Sequence, residues 1–287
     1  MASPWPSLTL ADWRDTYRTI HMYTQIVGKM RLAHAPLMNE WWQVALYVTT
    51  RGLTTTPIVY GDRTMEIAFD FHHHTLVVTT SDGTVRTVPL GGTVHAFYDE
   101  VLAVVNRLGF PTRINPMPVE IAQPVRFDAD DRPAGYDPAM AQRCFQVMSR
   151  VDGVFKRFRA RFTGKASPVH FFWGSFDLTT TRFSGQPAPV RQGDAVSAWA
   201  YRSTLASLGF WPGGEFPGVG QIDEPIFYAY NYPVPQGLET TPVQPEVAAW
   251  HPAFGEFVLP YAAGARASCG RAAGAYHPHG AHRGTPA

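Results

Sequence analysis

Three segments between residues 65 and 89 constrain the fold more than any other part of the chain. Residues 65–71 alternate large apolar side chains with smaller or charged ones, which is typical of a strand with one buried face. Residues 75–80 and 84–89 flank Ser81-Asp82-Gly83, and glycine accepts the positive φ that a tight hairpin needs. Together they predict three antiparallel strands in a meander.

Helical periodicity appears on both sides of this meander. We predict helices from Ser7 or Thr9 to about residue 32, from Thr93 to 108, and from Asp137-Pro138 to about 162, because capping residues and proline are favoured at helix starts. The other segments predict strands over 41–48, 119–121, 169–180, 226–232 and 256–260, a helix over 195–208 and a glycine-rich loop over 209–220.

This order of elements predicts an α+β fold of antiparallel sheets with packed helices. We expect two similar-sized halves, 1–123 and 137–261, that form one compact unit over 1–261. Residues 262–287 are rich in Ala, Gly, His and Pro, with too little apolar content to fold, and we predict a disordered tail there.

Composition narrows the classes of function. Aromatic residues make up 13% of the chain, so large rings must be buried, and the formal net charge of +1 gives no global attraction to nucleic acid or an anionic membrane. No apolar run is long enough to span a membrane, and the first residues lack the features of a secretory signal. We therefore expect a cytoplasmic protein without a disulfide framework, since its two cysteines, Cys144 and Cys269, fall in a helix and in the tail.

The segment Ser167 to Gly185, SPVHFFWGSFDLTTTRFSG, is the first candidate for chemistry. On one continuous strand, His170 would share a face with Phe172, Gly174 and Phe176, and the glycine would leave room for a ligand. Two interpretations stay open: an axial ligand of haem iron, or a core histidine bonded to a carbonyl. The same alternation would put Asp177 on the opposite face, which argues against a hydrolase that pairs it with His170.

His21 is the second candidate, in the middle of the first helix. It could serve as a distal acid or base over a bound oxidant or substrate, or it could be a buried, hydrogen-bonded side chain. Gly28, on the same side of that helix, would allow close packing or a ligand.

Other polar groups have simpler interpretations. The triplet His72-His73-His74 lies in a turn, where neighbouring side chains diverge, so we expect no metal site, although His74 alone could point inward. Asp177 and Arg182 could orient a histidine or hold a carboxylate or a haem propionate, but an ordinary ion pair at the strand end is the better interpretation of Arg182. The basic run 156–165 is best explained as a solvated helix face, and the histidines of the tail are weaker candidates: His277, His279 and His282.

Several familiar catalytic motifs are missing from the sequence. It contains no GxSxG elbow, no HExxH and no CxxC. Cys144 falls on an apolar helical stripe, a poor environment for a nucleophile. The glycine-rich Trp211-Pro212-Gly213-Gly214 does not match a nucleotide-binding loop in its context, although it could form a lid over a pocket.

Five motifs carry a resemblance that extends from Trp5 to Tyr261. They are WPSLTLADWRDTYRTIHMYTQIVGKMRLA, NEWWQVALYVTTRGLTTTPI, FDFHHHTLVVTTSDG, FKRFRARFTGKASPVHFFWGSFDLTTTRFSG and GFWPGG. They resemble the bacterial domain-of-unknown-function family 5996, which is similar to the trans-anethole oxygenases. Those enzymes oxidise the propenyl side chain of alkenylbenzenes and contain histidine-ligated haem. The resemblance implies haem b on His170 or His21, with the other histidine near the distal side, and His74 also lies in a matching motif.

We therefore expect a haem-dependent oxygenase or peroxygenase that oxidises a small apolar aromatic or alkenylbenzene substrate. His170 would bind the iron, His21 would assist proton transfer, and an aromatic wall would be formed by Trp173, Phe176 and Trp211. The alternative is a cofactor-free protein that binds an aromatic metabolite. The oligomeric state is open, and a homo-oligomer is compatible with the sequence.

Overall fold

The computed structural model describes residues 5–193, 195–216 and 220–266. Its first helix is α1 (Leu10–His34), followed by a 3-10 helix (Asn39–Val44). Six strands come next: β1 (Tyr47–Val48), β2 (Leu53–Thr54), β3 (Ile58–Tyr60), β4 (Arg63–Asp70), β5 (Thr75–Thr80) and β6 (Val85–Pro89). They form one antiparallel sheet in the order β1-β2-β4-β5-β6, with β3 paired to β4. The predicted meander is confirmed as β4, β5 and β6.

The second part begins with α2 (Val94–Arg107), a short 3-10 turn (Phe127–Ala129) and α3 (Pro138–Ala160). Thr93 and Asp137 cap the two helices through their side chains, as predicted. The next elements are β7 (His170–Phe172), β8 (Asp177–Pro187), α4 (Ala195–Ala200), β9 (Ser203–Trp211), β10 (Gly214–Phe216), β11 (Gly220–Ile222), β12 (Ile226–Tyr232), a 3-10 turn (Leu238–Thr240), β13 (Ala249–His251), β14 (Glu256–Pro260) and α5 (Tyr261–Arg266).

The second sheet has the order β13-β14-β12-β9-β8-β7, and every pair in it is antiparallel. Strand β7 lies at its edge and also pairs through Phe171 with Leu46, just before β1 of the first sheet. One buried apolar cluster includes residues of α1, α2, α3 and both sheets. The α+β class with antiparallel sheets is therefore confirmed.

Five of the predicted elements are wrong in whole or in part, and one of them is the strand 169–180, which a turn at 173–176 divides. The first half of the predicted strand 41–48 is 3-10 helix and only its end pairs as a strand, while 119–121 form a loop in which Glu120 has φ +56°. Within the predicted helix 195–208, helix α4 ends at Ala200 and β9 begins at Ser203, because pairing with β8 and β12 outweighs local helix propensity. The predicted loop 209–220 contains the end of β9 and the strand β10, which pairs with β11.

Two further findings concern the ends of the chain and its long helices. Helix α5 reaches into the segment predicted as a tail, and the rest of that segment, from residue 267 onward, lies outside the described residues. No helix in the described part of the chain is long and apolar enough to cross a membrane.

Candidate functional site

The predicted continuous strand 169–180 is a hairpin, and this changes which side chains share a face. Strand β7 ends at Phe172, a turn occupies 173–176, and β8 begins at Asp177. Phe176 closes the turn with φ +62°, a left-handed conformation that is rare for a bulky residue. Cross-strand register pairs Phe172 with Asp177 and His170 with Thr179.

Residues directly opposite one another in an antiparallel pair project to the same face. His170, Phe172 and Asp177 therefore share a face, and the expectation that Asp177 faces away from His170 is wrong. The predicted grouping of His170 with Phe176 is also wrong, because the turn carries Phe176 to the ring of Phe171 on the other face, with centroids 5.0 Å apart.

His170 lies in an aromatic enclosure. Its ring centroid is 5.5 Å from that of Trp42, 5.6 Å from Tyr47 and 5.4 Å from Phe172. The side chain is 1% exposed, and neither ring nitrogen has a hydrogen-bond partner among the described residues. Burial, with the positive charges of Arg31 and Arg159 nearby, lowers the pKa of His170 to about 3, so the imidazole is neutral.

His21 lies on the opposite side of β7. Its Nε2 is 2.9 Å from the carbonyl oxygen of Gly174 and 3.1 Å from that of Trp173, and its ring packs against Phe176 at 5.3 Å. Burial lowers its pKa to about 4. The structure therefore does not bring His21 and His170 to one site. His21 holds the turn of the hairpin through the two carbonyls.

Two polar side chains further along α1, Gln25 and Lys29, bind the backbone of the loop that precedes residue 121. Nε2 of Gln25 donates to the carbonyl of Val119 at 2.8 Å, and the Gln25 carbonyl accepts from the Val119 amide at 2.9 Å. One turn further along α1, Nζ of Lys29 donates to the carbonyl of Met117 at 2.8 Å. These three bonds fix the backbone that carries Glu120.

Glu120 lies directly over Gly174. A Cβ atom at Gly174 would come within 2.2 Å of Oε1 of Glu120, so the glycine makes room for this carboxyl group. The Glu120 side chain is exposed to solvent. Desolvation and the charge of Asp177 raise its pKa to about 7.

Asp177 is the centre of a hydrogen-bonded group on the same face as His170. It is 7% exposed, and its two carboxyl oxygens accept from the hydroxyls of Ser175 and Tyr228. Tyr228 reaches Asp177 from β12 by lying across β9, where its register partner is Gly209. A Cβ at Gly209 would be 2.1 Å from the Tyr228 ring, so only glycine permits this crossing. Burial raises the pKa of Asp177.

The group extends along the face to Tyr230 and Glu256. The Tyr230 hydroxyl is 3.2 Å from that of Tyr201, and the rings of Tyr228 and Tyr230 stack at 6.2 Å. Desolvation and the charge of Asp177 raise the pKa of Glu256 to about 7. We call this region the carboxylate–tyrosine cleft, defined by the partly exposed or acidic side chains of Glu120, Asp177, Tyr228, Tyr230 and Glu256.

The remaining predicted pocket residues lie elsewhere. Arg182, predicted to hold a propionate or to form an ion pair at the strand end, projects from β8 to the face opposite His170. Its guanidinium lies 3.6 Å from the Phe158 ring centroid and donates to the Phe158 carbonyl. Trp173 packs on α1, where a Cβ at Gly28 would come within 2.2 Å of its indole. The indole nitrogen of Trp211 donates to the Ser175 carbonyl at 3.0 Å, so this ring lies near the turn.

The histidine triplet diverges, as its position in a turn predicts. Nε2 of His72 is 3.3 Å from the Thr50 carbonyl, Nδ1 of His73 is 2.9 Å from Asp70, and Nδ1 of His74 is 2.9 Å from the Tyr136 hydroxyl. Cys144 is buried on α3. Four residues named above in the tail lie outside the described residues: Cys269, His277, His279 and His282.

The cleft was missed from the sequence, although part of its pattern was visible. Alternation in Ile226–Tyr232 places Tyr228, Tyr230 and Tyr232 on one face, and alternation in β8 places Asp177 on one face with Thr179 and Thr181. The residue that connects these two rows is Gly209, because the Tyr228 ring crosses β9 there to reach Asp177. It lies in a segment that we predicted as a loop and not as a central strand.

Comparison with known proteins identifies a family but no characterised relative. No curated protein and no solved structure matches this chain. The resemblance to the trans-anethole oxygenases therefore has no support from these comparisons. A family model, described as a Family of unknown function (DUF5996), matches residues 5–273, almost all of the chain. This match agrees with the motifs quoted above, and the chain belongs to the Family of unknown function (DUF5996).

Proposed function

We propose that this protein is a haem-dependent oxygenase or peroxygenase that acts on a small aromatic or alkenyl molecule, with His170 as the iron ligand. The observation that carries the proposal is the imidazole of His170, which is 1% exposed with both nitrogens unpartnered among the described residues. A buried polar group without a partner costs about 1–3 kcal/mol, so such a group favours a ligand.

The residues around His170 are chemically suited to haem b. A neutral imidazole is the form that binds a metal, and the low pKa of His170 keeps it neutral at physiological pH. The guanidinium groups of Arg31 and Arg159 are close enough to affect that pKa, and such groups pair with carboxylates such as propionates. When bound, haem would supply an iron centre that activates an oxidant.

The chain's own side chains shape this environment. Trp42, Tyr47 and Phe172 exclude water from the imidazole. Arg31 is held by the Ala45 carbonyl and lies over the Tyr47 ring at 5.2 Å, which fixes its charge near His170. In this proposal His21 is a positioning residue that secures the turn 173–176 from the opposite face, and Arg182 has no contact with the cofactor.

A haem titration tests the proposal. The protein as purified is titrated with haem, and the Soret absorption band is recorded for the wild type, His170→Ala, His21→Gln and the control His72→Ala. We expect a bound-haem spectrum in the wild type, His21→Gln and His72→Ala, and its loss or marked shift only in His170→Ala. A wild type without a Soret band, or an unchanged band in His170→Ala, would refute the assignment.

A cofactor-free binding protein for an aromatic metabolite is the second candidate. It is favoured by the partly exposed tyrosine rings of the carboxylate–tyrosine cleft, since such rings offer stacking surfaces without any cofactor. The titration above separates the two functions. This candidate predicts no Soret band and no turnover with peroxide, but quenching of intrinsic fluorescence by a bound aromatic compound.

A further inference from the structure

The aromatic enclosure of His170 leaves no room for a ligand beside the imidazole. The ring centroid of His170 lies 5.4–5.6 Å from those of Trp42, Tyr47 and Phe172. Aromatic rings at such distances are in direct contact, and the His170 side chain is 1% exposed. A group that binds either ring nitrogen must therefore displace one of the three rings first.

Two of these rings are held in place by strand pairing. Phe172 lies in β7 opposite Asp177, and Tyr47 lies in β1 opposite Thr54. Trp42 lies instead in the 3-10 helix between α1 and the first sheet, and it is only partly buried. Trp42 is therefore the ring that can move without breaking a strand ladder.

The backbone around Trp42 makes few bonds to the rest of the protein. We call residues 38–43 the lid segment. Apart from bonds within its own 3-10 turns, no backbone group of the lid segment pairs with another backbone group in the part of the chain that the structure describes. Segments held in this way open at a lower free-energy cost than paired strands.

Two neighbouring residues of the lid segment have a strained backbone. Glu40 has φ +50° and Trp41 has φ +60°, both in the left-handed region that side chains with a Cβ disfavour. Such conformations persist only where surrounding contacts impose them, and they are common in segments that close over ligands. Opening would let both residues relax, so the closed position depends on the side-chain contacts of the lid segment.

Lys165, in the loop between α3 and β7, makes contacts of this kind. Its Nζ is 3.2 Å from Oε1 of Glu40, 5.3 Å from the ring centroid of Trp42 and 4.6 Å from that of Phe183. Ion pairing and cation–π attraction both favour this position of the ammonium group. One side chain therefore joins the charge and the ring of the lid segment to β8.

Two indole groups join the lid segment to α4. Nε1 of Trp41 donates to the Val196 carbonyl at 3.1 Å, and Nε1 of Trp199 donates to the Met38 carbonyl at 2.9 Å. These bonds remain intact if the lid segment and α4 move together. Opening at His170 then breaks only the contacts of Trp42 and Lys165 described above.

We propose that the lid segment opens to admit a ligand to His170, and that Lys165 holds it closed through Glu40 and Trp42. The inference rests on the proposed function, in which His170 receives a ligand, but the opening itself can be measured without haem. Lys165 is a positioning residue, because it acts through the lid segment.

Chemical modification of the buried histidines tests the opening. The full-length protein without haem is treated at pH 7 with diethylpyrocarbonate, which modifies accessible neutral imidazoles, and each histidine is followed by peptide mass spectrometry. His21 is the internal control, because it is also buried and neutral but lies on the opposite side of β7. Global unfolding exposes both histidines, whereas lid opening exposes His170 alone.

In the wild type, His170 should react faster than His21 and more slowly than the exposed His72. Equal rates at His170 and His21 would mean that only global unfolding exposes His170, and this would overturn the proposal. A rate at His170 as high as that at His72 would show that no closed state exists, with the same consequence.

Variants test the role of Lys165. Lys165→Met keeps an apolar side chain but removes the charge, and it should raise the rate at His170 relative to His21 by about threefold to tenfold. Glu40→Gln, which removes the other charge of the pair, should change the ratio in the same direction. The control Lys156→Met loses an ion pair with Asp152 on α3, outside the lid segment, and should leave the ratio unchanged.

Circular dichroism checks the fold of each variant. An unchanged ratio in a folded Lys165→Met or Glu40→Gln protein would contradict the role of this ion pair. The outcome is also separable from that of the haem titration. A raised ratio in Lys165→Met together with a wild type that shows no Soret band would refute only the haem assignment. A Soret band that depends on His170, with His170 and His21 reacting equally, would refute only the lid.

Discussion

Along β8, successive side chains enter two different environments. Leu178 projects toward α3 and lines a tightly packed apolar region with Phe171, Phe210, Cys144 and Met148. The next residue, Thr179, projects to the opposite face of the sheet, together with Asp177 and the rest of the carboxylate–tyrosine cleft. Around Leu178 the first face is filled by apolar side chains, whereas the second face carries the hydroxyl and carboxyl groups of the cleft, some of which are partly exposed.

This difference shows how one sheet can separate stability from chemistry. On the packed face, the burial of apolar side chains stabilises the folded state, and a cavity in this packing would reduce that stability. The cleft face carries carboxyl groups whose pKa values are raised, so each charge there opposes folding. Groups that reduce stability in this way are common where a ligand is bound.

Phe171 and Phe172 are adjacent rings on opposite faces, and they give the sharpest test of the comparison. Phe171 is fully buried, so Phe171→Ala should cost about 3–5 kcal/mol in the free energy of unfolding, because it leaves a cavity between β7 and α3. Phe172 is only partly buried, and Phe172→Ala should cost less than half as much. Urea denaturation measures both. Equal losses would show that the cleft face is packed as tightly as the other.

The pH dependence of stability provides the next test, on the packed side. The pKa of His21 is about 4 in the folded protein and 6.5 when unfolded, so between these values the unfolded chain binds the extra proton. Stability must therefore fall as the pH drops from 6.5 toward 4. By pH 5 this residue accounts for a loss of about 2 kcal/mol.

His21→Gln should remove that loss while its amide can still donate to the Gly174 carbonyl. Urea denaturation at pH 7 and pH 5 should show a smaller acid-induced decrease in the variant than in the wild type. The control His72→Gln, in an exposed turn, should lose as much stability between pH 7 and pH 5 as the wild type does. A decrease in His21→Gln as large as in the wild type would place the acid sensitivity elsewhere.

Glu256 should show the opposite pH dependence on the cleft side. Its folded pKa, about 7, lies above the usual 4.5, so its ionisation opposes folding, fully above pH 7 and not at all below pH 4.5. Glu256→Gln should therefore increase stability at pH 8 by about 1 kcal/mol and have little effect at pH 4.5. Thermal denaturation at the two pH values measures this. A destabilised variant at pH 8 would mean that Glu256 has a cationic partner.

The contrast between the faces also explains what the sequence could reveal. The meander β4–β6 and the starts of α2 and α3 depend on local patterns, alternation and capping, and these were predicted correctly. The turn at 173–176 was not predicted, because Phe176 takes a left-handed conformation and no residue type in this aromatic segment indicates one. Strand β9 was mistaken for a helix and loop because its conformation is imposed by its neighbours β8 and β12.

These two errors account for most of the missing site. Without the turn, alternation placed Asp177 on the wrong face relative to His170. Without β9 as a central strand, Gly209 could not be seen as the gap that lets Tyr228 reach Asp177. Candidate residues could be selected by type, as His21 and His170 were, but only the register of the strands shows which of them meet.

The smallest effect is expected at Tyr230, in the middle of the cleft. Its hydroxyl is 3.2 Å from that of Tyr201, in a partly exposed environment, so Tyr230→Phe should change the free energy of unfolding by less than about 1 kcal/mol. Urea denaturation measures the change, with Tyr23→Phe as the matched variant on α1. The Tyr23 hydroxyl donates to the Gly92 carbonyl beneath a stacked Phe97, and its loss should cost more. A larger loss at Tyr230 than at Tyr23 would show that the cleft hydroxyls hold the sheet together, and would weaken the case that they are kept for a ligand.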